Sequence, residues 1–184
     1  MLVSAPFIVW GQTGDSTWES YIQAGQAACD QGNYAEAEKQ WVAALQEAEK
    51  FGPEDPRLAT SLNNLGTVYQ AQWKFEEAEP LLMRAVAIDE KALGPEHPDT
   101  AISHSNLAVL YRYQGKYAEA EPLFKRALAI REKTLGPEHP DVATCIINLA
   151  NLYRDQGKYA EAETLYQRPL EILEKALGPE HLDT

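Results

Sequence analysis

Apolar residues recur through most of the chain at steps of three and four. Leu107, Ala108 and Tyr111 fall at i, i+1 and i+4, the segment QGKY interrupts, and Ala120, Phe124 and Ala127 follow at spacings of four and three. Such spacing lays one apolar stripe along each of two helices joined by a turn. The pattern predicts helices over 16–31 and 34–50, 56–72 and 75–92, 98–114 and 117–134, and 140–156 and 159–176. Each is about 25 Å long at 1.5 Å per residue.

The pattern is itself periodic. KYAEAE at 116–121 returns at 158–163, and LGPEHPD at 135–141 appears at 93–99 and, as LGPEHLD, at 177–183. Divergent copies read KFEEAE at 74–79 and NYAEAE at 33–38, the latter followed by FGPEDP at 51–56. The step is 42 residues, except that Tyr34 and Phe75 are 41 apart. A fixed period of this size is the signature of a solenoid in which each unit buries its apolar face on its neighbours.

Small residues stand where paired helices must approach: Gly25, Gly66, Ala108 and Ala150 in the first helices, Ala37, Ala78, Ala120 and Ala162 in the second. In the connectors Gly94 and Gly136 suit a left-handed helix end, Pro98 and Pro140 the next first turn, and Asp99 and Asp141 its positive pole. Three departures carry expectations. Ala28 replaces the tyrosine of Tyr69, Tyr111 and Tyr153, which predicts looser packing of the first unit. Trp73 replaces the turn glycine of Gly32, Gly115 and Gly157. Pro169 stands where Ala44, Ala85 and Ala127 do, deep in the last helix, and predicts a kink or local loosening.

Leu-Ala/Gly-x-x-Tyr followed by Gly, Tyr, Ala, Phe and Ala resembles the tetratricopeptide repeat, and the 42-residue step with its LGPEHPD connector is similar to the kinesin-light-chain subclass. The resemblance covers residues 16–184, with repeats at about 16–55, 56–97, 98–139 and 140–181, behind a non-repeat arm at 1–15. It implies an all-α, right-handed superhelical solenoid of four antiparallel helix pairs that binds a partner peptide in the concave groove lined by the first helices. The heptad coiled coil by which light chains hold the motor heavy chain is missing from the sequence, so a scaffold without motor attachment is expected.

On that groove face the candidate peptide-binding residues are Gln23 and Gln26, Asn64 and Thr67, Asn106, Val109, Arg112 and Tyr113, and Asn148, Asn151 and Arg154. Asn64, Asn106 and Asn148 share one register, and an amide both donates to and accepts from a peptide backbone. Arg112 and Arg154 flank them and suit a carboxylate. The competing reading is that the asparagines bond to neighbouring helices and the arginines pair with surface glutamates. The stripe has no lysine, so a chaperone C-terminus is not the expected ligand.

The formal charge of −12 opposes a sequence-independent hold on nucleic acid or an anionic membrane. Leu2–Trp10 is too short for a membrane span and lacks the basic flank of a secretory signal. An apolar arm, lying on the first repeat or disordered, and a cytoplasmic location are expected, the alternative being export after clipping of residues 1–11. Cys29 and Cys145 lie in different repeats, too far apart to pair.

His97, His139 and His181 recur one repeat apart, roughly 10 Å per step, whereas zinc needs ligands about 2 Å from one ion. They read as connector residues; no metal or cofactor is expected. No enzymatic motif is present, and no catalytic residue is assigned. The closing GPEHLDT opens a further unit. Leu165, Tyr166, Ile172 and Leu173 are candidates for an uncapped face that self-associates into a homo-oligomer, and a fragment of a larger regulatory protein is the other alternative.

Overall fold

A computed structural model describes residues 16–177, with side chains from 17 to 176. Among these residues are eight α-helices: α1 (Ser16–Asp30), α2 (Tyr34–Ala48), α3 (Pro56–Ala71), α4 (Phe75–Ala92), α5 (Pro98–Tyr113), α6 (Tyr117–Leu135), α7 (Pro140–Asp155) and α8 (Tyr159–Leu177). They form four consecutive antiparallel pairs, and a 3-10 turn at Glu49–Phe51 extends α2. The arm at 1–15 and the closing GPEHLDT with His181 lie outside the described residues. Two compact units result, Met1–Asn106 and Leu107–Thr184.

Local signals set the boundaries. Helices α3, α5 and α7 each open on a proline, whose fixed φ suits the first turn and whose missing N–H costs nothing there. The residue before that proline is the cap. Asp55 accepts from the Arg57 backbone N–H at 2.9 Å, and the connector histidines do the same: His97 Nδ1 from Asp99 at 3.2 Å and His139 Nδ1 from Asp141 at 3.1 Å. The turns inside the pairs use positive φ, 70° at Gly32, 73° at Gly115 and 77° at Gly157. Trp73 adopts the same conformation at φ 64°.

In the first unit the core runs through Trp18, Ile22, Trp41, Leu58, Leu62 and Leu65. A Cβ on Gly25 would lie 2.2 Å from the Trp41 indole nitrogen, and one on Gly66 would lie 2.7 Å from Leu82, so both glycines are required by close approach. Ala28 is buried in the same core cluster as Trp18 and Trp41. In the second unit Ala108, Ala120 and Phe124 pack with Leu149 and Leu152, while Val142, Ala143 and Ile146 pack with Ile172. Helix α8 runs unbroken past the buried Pro169, so the expected loosening does not interrupt it. No disulfide forms among the described residues.

Candidate functional site

In the first unit the polar stripe of the first helices is largely turned to internal use. Gln23 is exposed on α1, and Gln26 donates to Asp30 at 2.8 Å. On α3, Asn64 is 3% exposed and Thr67 donates to the Asn63 carbonyl at 2.8 Å. Asn106, on the part of α5 that belongs to this unit, is also buried.

Its Nδ2 donates to Asn63 Oδ1 at 3.4 Å, Asn63 Nδ2 donates to Ser103 Oγ at 2.6 Å, and Ser103 Oγ donates to the carboxylate of Asp89. Every donor in this relay points toward one carboxylate, which is 1% exposed. Burial pushes the Asp89 carboxyl up to about 6, against the Ser103 hydrogen bond that lowers it and with a small push from Asp99. Asn106 Oδ1 is buried at the far end without a hydrogen-bond partner.

The second unit leaves more of its stripe accessible. Val109 and Asn148 are half-buried. Asn151 accepts a 2.6 Å hydrogen bond from the Tyr166 hydroxyl, which ties α7 to α8. Asp155 holds two guanidinium groups, Arg112 at 3.1 Å through Oδ2 and Arg154 at 3.2 Å through Oδ1. The two arginines differ in access: the Arg112 side chain is 11% exposed and lies 4.9 Å from the Tyr113 ring, whereas that of Arg154 is 53% exposed. Asp155 thus brings two guanidinium groups together on a chain that is acidic as a whole, with Glu163 a second carboxylate in the cleft that Arg154 borders.

Arg154 also borders an open cleft of about 420 Å³ whose other walls are Tyr159, Ala162, Glu163, Tyr166, Gln167 and Leu170 of α8. Of the four residues expected on a self-associating face, Ile172 is buried against Val142, Ala143 and Ile146, and Leu165 and Leu173 pack beside it. Tyr166 is half-buried. The large apolar residues that α8 exposes are Tyr159 and Leu170.

Sequence reasoning passed over the relay, although one signal was present. Asp89 occupies the position of Ala48, Arg131 and Leu173 in the other repeats, on the face of α4 that carries Leu82, Ala85 and Ile88. An acid there requires a buried donor. Among the described residues no group of three His, Cys, Asp or Glu side chains is placed to hold a metal. No described helix is long and apolar enough to cross a membrane.

The family model for the tetratricopeptide repeat matches residues 17–91, 68–133, 99–175 and 142–184. None of the curated proteins compared with the chain matches it. Among solved structures, one from Podosopora anserina, provisionally assigned as a kinesin light chain with nearly identical TPR-like repeats, is 31% identical. The match covers 86% of this chain and 76% of that one, with a TM-score of 0.70. BtubC (BKLC) from P. vanneervenii is 28% identical over 87% of this chain and 65% of its own, with a TM-score of 0.74. A Rap protein complexed with competence and sporulation factor shares the fold alone, at 18% identity, with 92% and 47% covered and a TM-score of 0.76. Repeat pattern, helix pairing and these matches agree that the chain belongs to the tetratricopeptide repeat family, whose members are generally protein-interaction modules.

Proposed function

We propose that the chain is a non-catalytic scaffold that binds a protein segment along its first helices, and that α7 with the end of α5 makes the accessible contacts. The observation that carries this reading is the Arg112–Asp155–Arg154 cluster, with Arg154 half-exposed at the mouth of the α7–α8 cleft. A guanidinium oriented by an adjacent carboxylate loses little freedom when it takes up a second acceptor. Asn148 adds an amide that pairs with an extended backbone, and Gln23, Asn64, Thr67 and Asn106 belong to the same expected stripe. A Rap protein of the same fold is complexed with competence and sporulation factor, which supports ligand binding by such a solenoid.

The test is a pull-down from the source cell extract with the full chain and an Asn148→Ala/Arg154→Ala variant, read by mass spectrometry. A protein retained by the native chain and lost from an equally helical variant supports the groove; equal retention by both contradicts it. A second reading, stacking of copies through α8, is favoured by the exposure of Tyr159 at 69% and Leu170 at 52%. Concentration-dependent mass in sedimentation that is lost on Leu170→Lys would support it.

A further inference from the structure

Three of the four turns inside the helix pairs place a glycine at positive φ, and the fourth places Trp73 there at 64°. A residue with a Cβ is disfavoured in this region, and glycine meets the need without strain. Trp73 regains little of that cost by burial. It is 71% exposed, and its ring lies tilted against that of Phe75 with centroids 5.6 Å apart. A large aromatic side chain held in a strained turn and facing water points to a role outside the fold.

The surroundings give the chemistry of what would meet it. Glu76 and Glu77 occupy the first turn of α4, are exposed, and make no ion pair among the described residues. The nearby cation Lys74 is already engaged, 3.0 Å from Glu38 and 5.1 Å from the Tyr69 ring. Further along α4, Met83 is 51% exposed where the later repeats carry Lys125 and Gln167.

We propose that Trp73 anchors a second docking surface, separate from the first-helix stripe, whose occupant is a protein segment presenting arginine or lysine beside apolar side chains. The indole face attracts a cation, Glu76 and Glu77 supply the opposite charge, and the acidic chain favours a cationic partner at longer range. Tryptophan is enriched among the few residues that dominate interface energetics.

The test is selection of a phage-displayed library of random short peptides on the full chain. The recovered peptides are then titrated against native protein and the variants Trp73→Gly, Glu76→Gln/Glu77→Gln and Asn148→Ala/Arg154→Ala. The expected result is a set rich in Arg or Lys next to apolar residues. These peptides bind Trp73→Gly at least about tenfold more weakly, bind the glutamine variant more weakly at low salt, and still bind the Asn148/Arg154 variant, which separates this surface from the groove. Trp73→Gly melts no lower than the native chain. The proposal is overturned if the peptides bind Trp73→Gly equally, if the Trp73-dependent set lacks cationic residues, or if Trp73→Gly lowers the melting temperature. It is also overturned if Trp73→Gly abolishes a concentration-dependent increase in mass, which would put a second copy at this site.

Discussion

Asn64 of α3 and Asn148 of α7 stand two 42-residue steps apart at the same position of their repeats, yet one is buried and the other half-exposed. Helix α3 has polar partners on both flanks in its unit. Trp18 of α1 donates to Ser61 at 2.9 Å, and Ser103 of α5 accepts from Asn63. Its polar residues are therefore absorbed into the packing, with Ser61, Asn63 and Asn64 all buried. Helix α7 has Cys145 and Ile147 where α3 has Ser61 and Asn63, and near its C-terminal end Asp155 pairs with Arg112 and Arg154. Equal register does not make equal environment. On α3 it is the residues one and three positions before the asparagine, Asn63 and Ser61, that tie the neighbouring helices by hydrogen bonds.

The largest effect should come from the carboxylate at the end of the α3–α5 relay. The folded Asp89 carboxyl titrates at about 6, above the unfolded value of 3.8. Its contribution to stability is thus complete below about pH 4 and is lost as the pH rises through 6. At 1.36 kcal/mol per unit the loss is about 3 kcal/mol by pH 7.5. Asp55 and Glu121 work in the opposite sense, because hydrogen bonds from Arg57 and Lys125 hold their carboxyls low and their contributions are lost in acid. Urea unfolding of native and Asp89→Asn proteins across pH 4 to 8 separates the two trends: the difference between the curves should grow with pH only through the Asp89 window.

Next in size is Asn63→Ala, which strands Asn106 Nδ2 and removes a donor from Ser103. A cost of about 2 kcal/mol is expected in urea unfolding, against less than about 0.5 kcal/mol for Asn148→Ala on α7. Equal costs at the two sites would remove the distinction drawn between the helices. Smaller still is Trp73→Gly, where relief of the turn and loss of the Phe75 ring contact nearly cancel, for a net gain of about 0.5 kcal/mol. Calorimetric melting curves would resolve its sign.

Most of the fold was legible because its signals are local and repeated. A 42-residue step, a proline opening α3, α5 and α7 and a small residue at each close approach can all be read from the residues themselves. Burial of the candidate site was not legible in the same way. The fate of Asn106 depends on Asn63, Ser103 and Asp89, spread over 43 positions of the chain. The register of Arg112 gave its place on the stripe, but not its salt bridge to Asp155, 43 residues away, or the 11% exposure of its side chain. Tyr159 and Leu170 were passed over because their exposure reflects what lies beside α8 and not their own spacing.

The most direct measurement is a calorimetric titration of the partner segment recovered by pull-down against native, Asn148→Ala and Asn63→Ala proteins, each checked for helicity. If α7 carries the accessible contacts, Asn148→Ala weakens binding by about 1–3 kcal/mol at unchanged stability, while Asn63→Ala lowers stability and leaves the affinity of the folded protein near native. Unchanged affinity in Asn148→Ala, or a loss confined to Asn63→Ala, would contradict the assignment and move the binding surface to the first unit.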